Sequence, residues 1–481
     1  MSNVPRSTKI LLTVILCLIA LLAVLLAGLL CLQFGLFDSA ETPTTVPSGT
    51  TLPTDPTTRP TDPTTQPTDP TTQPTQPTDP TDPLPPPIEK VSSATITATG
   101  DMLMHSYVYI DAMQADGTYD FTGQFSFLQQ YIQSADYAVA NLETTLNGAP
   151  YSGYPNFCCP DGIVPSLQSV GFDMLLTANN HTYDKGDKGF YRTQQILQDY
   201  GMDYLGTISS ADLPLWQIKE INGIRIGMIC YTYEVSDDPN ITSLNSHKMS
   251  EGTKNLVGSF YPYSADGREA FYSEMEQQIA QMETAGAEAI VLYIHWGDEY
   301  QTKQNSTQSA IAQKMCDLGV DVIVGGHPHV IQPMELLTST TDESHKTVCL
   351  YSTGNAISNQ NRLELPNSCP TGHSEDGILF TFSFAKYSDG TVILESADVL
   401  PTWVYRMGTH GSYNYSYQVI PLDIQQPDWQ AAFGLTEAVA NSARASYDRT
   451  MAIVGTGLAN VQAYLAELVA QTEADLGIAP Q

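Results

Sequence analysis

The chain has 481 residues, with 52 acidic side chains against 20 Lys and Arg, a formal net charge of −32. Such a surface repels phosphate backbones, which argues against nucleic acid or an anionic membrane face as a partner. A polyanionic substrate would need cations to bridge it to the protein.

Ile10 to Leu32 is apolar apart from Thr13. As a helix it would be roughly 35 Å long, enough to cross a bilayer core. Arg6 and Lys9 precede it, and Asp38 and Glu41 follow. The positive-inside rule then places residues 1–9 in the cytoplasm, 10–32 in the membrane and the rest outside, as in a single-pass membrane protein, the alternative being an unusually long cleaved signal. Residues 38–89 are rich in Thr and Pro, with Pro-Thr-Asp-Pro-Thr-Thr-Gln at Pro60 and again at Pro67. Little there is apolar enough to form a core, and the composition predicts a disordered stalk. In polyproline II form it would reach on the order of 140 Å. Residues 91–400 are then expected to form one large α/β domain, and 401–481 a largely helical extension that packs on it or pairs with a partner.

Within the domain, Ala94–Thr99 reads as a first strand, ending in Gly100-Asp101 with His105 four residues on. Tyr137–Ala140 is a second strand and runs into Asn141-Leu142-Glu143. Phe172–Leu176 is a third, leading to Asn179-Asn180-His181 and Asp184, with a helix over Lys188–Tyr200. Leu215–Ile221 and Ile224–Tyr231 flank Asn222-Gly223, which predicts a tight hairpin. Residues 234–264 are polar and irregular, a surface insertion or lid. A helix over Arg268–Thr284 precedes the strand Ala289–Ile294, which ends in His295-Trp296-Gly297-Asp298-Glu299-Tyr300. After the helix Ser306–Leu318 comes Val320–Val324, a buried-strand pattern that enters Gly325-Gly326-His327-Pro328-His329. Two glycines are expected to let the backbone turn there, and two imidazoles share one loop. Val348–Tyr351 ends at Ser352-Thr353-Gly354-Asn355, and Ile378–Phe384 with Thr391–Val399 reads as an antiparallel pair. Among the cysteines, Cys158 or Cys159 could pair with Cys369.

Ligand-type side chains therefore fall at five strand ends: Asp101 with His105, Glu143, Asn180 with His181, His295, and His327 with His329. Five of the nine histidines lie there, where open α/β sheets gather their ligands. Carboxylates, an amide and imidazoles can hold two divalent ions, and such a pair activates water against a phosphoryl or acyl centre.

These motifs, in this order over about Ala94 to Val399, resemble those of the bacterial capsule and poly-γ-glutamate synthesis (CapA-like) proteins. Those belong with the calcineurin-like metallophosphoesterases. The resemblance implies a sandwich of two mixed β-sheets flanked by helices, around two divalent ions (Mn, Zn or Fe). Carried over by motif, Asp101, His105 and His329 would hold one ion and Asn180, His295 and His327 the other. Glu143 would bridge them, and His181 would protonate the leaving group. Asp184, Trp296, Glu299 and Asn355 would support the site or touch substrate. Two spacings depart from the wider superfamily: three residues separate Asp101 from His105, and the bridging position is Glu143 after Leu142. The resemblance implies either a hydrolase acting on a phosphoester or an amide in an anionic envelope polymer, or an accessory subunit that guides such a polymer within a membrane synthase.

Overall fold

The computed structural model describes residues 87–236, 238, 240–412 and 414–478. The expected membrane span at 10–32 and the Thr/Pro-rich stretch up to residue 86 lie outside them.

Two mixed β-sheets pack face to face. The first runs Ser416–Pro421, Val392–Met407, Asp376–Tyr387, Lys90–Met102, Tyr137–Asn141, Met174–Leu176, Asp203–Leu205, with Asn355–Ile357 also paired to Lys90–Met102. Its first four strands are antiparallel and its last four parallel. The second runs Met334–Thr338, Lys346–Leu350, Val322–Gly326, Ala289–His295, Ile224–Tyr233, Trp216–Ile221, with Ser259–Phe260 beside Ile224–Tyr233. Its central strands are parallel.

Period-two alternation sorts each strand between two environments. Val291 and Tyr293 face the core between the sheets, together with Ile96, Ala98, Phe380 and Phe382 of the first sheet. Ile290, Leu292 and Ile294 face outward, under Phe271, Met275 and Ile279 of the helix Ala265–Thr284 and Ile311 and Met315 of Ser306–Asp317. The outer face of the first sheet is covered in the same way, Ala138, Ala140 and Leu175 lying under Val164, Leu167 and Leu197. Strands buried on both faces read as near-continuous apolar runs, and these do.

Asn222 and Gly223 both take positive φ, 51° and 79°, as a two-residue hairpin turn requires. The strand Val392–Met407 runs through the expected boundary at 400, and Ser416–Pro421 pairs with it. The start of the extension therefore belongs to the sheet. The long helix Glu437–Asp475 packs on Val392–Met407 and Met334–Thr338. It buries Val454, Leu458, Val461 and Leu465, a helical spacing that closes an edge of the core between the sheets. Arg449 and Ser446 anchor it by donating to the buried Asp376 carboxylate at 2.6–2.9 Å.

The expected disulfide does not form. All six described cysteines are free thiols. Cys158 Sγ turns to the carbonyl of Gly148 at 3.3 Å, and Cys159 packs in the core beside Ile163.

Candidate metal centre

The parallel strands of both sheets end on one side of the sandwich, and their ends carry the ligand-type residues. Asp101 lies within Lys90–Met102, Glu143 just past Tyr137–Asn141, His295 closes Ala289–His295, and His327 and His329 follow Val322–Gly326. All five are buried. Their ligand atoms form two sets, each within 4.8 Å: Glu143, His295 and His327 in one, Asp101, Glu143 and His329 in the other. Glu143 belongs to both.

The loop at 327–329 folds differently from the expectation. His327 and His329 themselves take positive φ, 96° and 55°. The two glycines remain in the strand, where space is the constraint. A Cβ on Gly325 would sit 2.0 Å from the Tyr351 carbonyl oxygen, and one on Gly326 2.8 Å from Asp101 Oδ1. Left-handed backbone is costly for non-glycine residues and persists where the surroundings hold it. Asp101 does the holding: Oδ2 accepts from the His327 amide at 3.0 Å and from His329 Nδ1 at 3.1 Å, and Oδ1 accepts from Asn141 Nδ2 at 2.8 Å. With Nδ1 engaged, His329 turns Nε2 toward Glu143 Oε1, 3.9 Å away.

Charge is unbalanced at the centre. Neither oxygen of Glu143 accepts a hydrogen bond among the described residues, although the side chain is fully buried, and His327 Nδ1 is also unpartnered. Buried polar atoms are nearly always paired, so an orphaned carboxylate ringed by imidazoles is the donor set that a divalent cation satisfies. Burial raises the Asp101 carboxyl, but the His329 hydrogen bond and the His295 and His329 charges outweigh it and bring it below its ordinary value. Burial disfavours a charged His329, yet the Glu143 and Asp101 carboxylates lift it to about 9. His327 is held well below its ordinary value by burial and by the neighbouring histidines.

Asn180 stands at the same centre, its Oδ1 2.8 Å from His295 Nε2. His181 reaches it from the cleft side, with Nε2 3.9 Å from Glu143 Oε1 and Nδ1 donating to Asp184 Oδ2 at 2.7 Å. An imidazole fixed through one nitrogen presents the other in a defined direction. His105 is outside both ligand sets. Its Nδ1 lies 3.3 Å from the Leu103 carbonyl, and Phe157 stands edge-on to both His105 and His181. Burial pushes His105 down to about 4. The three-residue spacing from Asp101 thus carries this imidazole into the cleft wall. Trp296 supports from beneath, buried, with Nε1 donating to the Tyr351 carbonyl at 2.9 Å. Asn355 is also buried and donates to the His329 carbonyl at 3.2 Å. Glu299 is exposed and lines the cleft beside His329.

Four residues escaped the sequence reading. Asn141 holds Asp101, and Asn179 donates to Asn141 Oδ1 at 3.0 Å. Both stood in motifs already singled out, and a buried amide between two strand ends was the signal. Tyr233 places its ring 4.7 Å from that of His327. Asn245 comes from the irregular insertion, at the turn of the hairpin Ser243–Leu244 with His247–Lys248. Its Nδ2 donates to Asp184 Oδ1 at 2.8 Å and to the Pro155 carbonyl at 3.0 Å. No pattern in the insertion announces it. Asn245 has φ 45°, which glycine adopts freely. Asn245→Gly therefore keeps the turn and removes only the amide. It is expected to cost about 1–3 kcal/mol, because a buried carboxylate oxygen loses its donor. Asn245→Asp is expected to cost more, with two carboxylates in contact. Urea denaturation midpoints of the two variants check this.

A buried carboxylate shared by two histidine-bearing sets at the strand ends of a two-sheet sandwich defines a candidate metal centre. The family model for the bacterial capsule synthesis protein PGA_cap matches residues 95–360, which include every residue of that centre. The chain belongs to this family. It is 25% identical over 276 residues to the capsule biosynthesis protein CapA of Bacillus anthracis, covering 55% of this chain and 60% of that protein. It is 25% identical over 291 residues to the PGA biosynthesis protein CapA of Bacillus subtilis (strain 168), covering 57% of this chain and 66% of that protein. The matches thus span less than two thirds of these relatives. Among solved structures, the Haemophilus influenzae NAD nucleotidase (NadN) superposes over 80% of this chain and 68% of its own at a TM-score of 0.39 and 12% identity.

Proposed function

We propose that this chain is a membrane-anchored, extracellular hydrolase that depends on divalent metal ions and acts in the synthesis or processing of a capsule polymer. The observation that carries the reading is Glu143: a fully buried carboxylate with both oxygens unpartnered among the described residues, common to both ligand sets. Asp101 and His329 would hold one ion, His295, His327 and Asn180 the other, and Glu143 both. When bound, such ions supply hydroxide at neutral pH and neutralise charge on a phosphoryl or acyl oxygen.

The chain's own residues do the rest. His181 presents Nε2 to the centre and gives a proton to the leaving oxygen or nitrogen. Asp184, itself held by Asn245, keeps the His181 ring turned that way. Asp101 fixes the loop that carries His327 and His329. The bond attacked is a phosphoester or an amide. Anchoring rests on the apolar stretch Ile10 to Leu32 with Arg6 and Lys9 before it.

The test is the metal content of the purified chain beside the His327→Ala, His329→Ala double variant, after incubation with manganese, zinc or iron. Near-stoichiometric metal in the wild type, lost in the variant, with hydrolysis of 4-nitrophenyl phosphate or a γ-glutamyl amide, supports the reading. No bound metal overturns it and leaves an accessory polymer-guiding subunit as the better account.

A further inference from the structure

A cleft of about 430 Å³ opens beside the metal centre, with His181 and His329 at its floor. That volume suits one or two units of a small ligand. Its walls are of two kinds. Phe157 and Tyr300 supply aromatic surface, and Tyr154 stands at the lining with 76% of its surface exposed. Asn359 and Gln360 supply amides, and Gln360 is positioned by hydrogen bonds with Tyr300 and Asn355 at 3.1 Å.

Apart from the histidines at the floor, the charges in this lining are carboxylates. Neither Lys nor Arg occurs among the described residues that line the cleft, whereas Glu299 and Glu364 do. Glu364 is neutralised from behind. Arg406 Nη1 donates to it at 2.7 Å and to Asn359 Oδ1 at 3.0 Å, with its guanidinium over the Tyr415 ring. That arginine is committed to the wall. Glu299 is exposed, makes no ion pair among the described residues, and its charge is felt at His329 and Tyr300.

We propose that the cleft selects a substrate with one anionic group, seated at the metal centre, and an uncharged amide- or hydroxyl-bearing remainder, and that Glu299 rejects a second negative charge. The inference rests on the metal-dependent hydrolase reading and sharpens it. Glu299 then favours a phosphoester of a neutral unit over a repeat with a carboxylate on every residue. The floor would attract an anion because two divalent ions carry more positive charge than the two carboxylates there cancel. The walls offer aromatic faces and amides, which bind neutral glycosyl or peptidyl groups by stacking and hydrogen bonds. A carboxylate about 7 Å from Glu299, at an effective dielectric of about 40, is disfavoured about fivefold to tenfold.

The test measures binding, so it does not depend on turnover. The full chain is loaded with manganese and titrated calorimetrically with 4-(hydroxymethyl)benzylphosphonate and with 4-carboxybenzylphosphonate. The neutral ligand is expected to bind about fivefold to tenfold more tightly at low ionic strength. The gap should close in 1 M salt, where the Debye length is about 3 Å, and in Glu299→Gln. Equal or tighter binding of the carboxylated ligand overturns the proposal. So does a gap that persists in Glu299→Gln, or no binding of either phosphonate. Failure of the hydrolase reading shows separately, as loaded protein that binds the neutral phosphonate and hydrolyses no ester.

Discussion

Glu143→Gln is expected to lower metal affinity by about a thousandfold or more while leaving the metal-free fold intact. The carboxylate is shared by both ligand sets, so its loss weakens both at once. The amide keeps the shape but not the charge, and a neutral oxygen is a poor partner for a hard divalent ion. Metal at a thousandfold excess over its dissociation constant stabilises the wild type by about 4 kcal/mol. The variant should show almost none of this. Without metal two effects oppose: a buried carboxylate with no hydrogen bond is removed, and so is its attraction for the charged His329, so the metal-free stability should change little near neutral pH. Asp101→Asn is the contrast. Asp101 also holds the His327 amide and His329 Nδ1, so that variant should lose stability with or without metal. Thermal midpoints of both variants, with and without manganese, check the pair. Equal metal-induced shifts in Glu143→Gln and wild type would sink the assignment.

The sequence was most legible where hydrophobic period and chemistry coincide. Val322–Val324 and Ala289–Ile294 are apolar on both faces because both faces are covered, and each leads toward histidine, His327 after two glycines and His295 directly. Asp101, Glu143 and His295 are placed at or next to strand ends, and Asp101 in turn holds the loop of His327 and His329, so the five converge. His105 did not join either set, because its place depends on the path of residues 103–105 after the strand ends. The same limit hid Asn245, which reaches Asp184 from an insertion 61 residues away. Pro401 hid the rest of its strand. Proline argues against an interior strand position, but pairing with Ser416–Pro421 begins only at Thr402. The glycines at 325 and 326 were recognised as necessary for the wrong reason. They make room for Tyr351 and Asp101, and the turn belongs to the histidines.

Metal uptake is expected to strengthen steeply with pH, by up to about tenfold per unit between pH 7 and 9, and then to level off. His329 carries the effect. Burial opposes its charge, but Glu143 and Asp101 lift it to about 9, above the ordinary 6.5. Below pH 9 the metal-free centre therefore holds a proton where an ion needs a lone pair, and binding must release it. The consequence for stability differs between the two forms. A histidine whose folded value is raised stabilises the metal-free protein fully below about pH 6.5 and loses that contribution as pH rises through 9, at most about 3 kcal/mol. The metal-loaded protein keeps its stability over the same range, because neither it nor the unfolded chain carries that proton above about pH 6.5. The stability advantage of the loaded form should thus widen from pH 7 to 9. Calorimetric titrations in buffers of different ionisation enthalpy give the proton release directly, with about one proton per centre expected at pH 7.5. Affinity that is flat from pH 7 to 9 would mean that His329 is not a ligand, and would leave Asp101 and Glu143 to hold that ion without it.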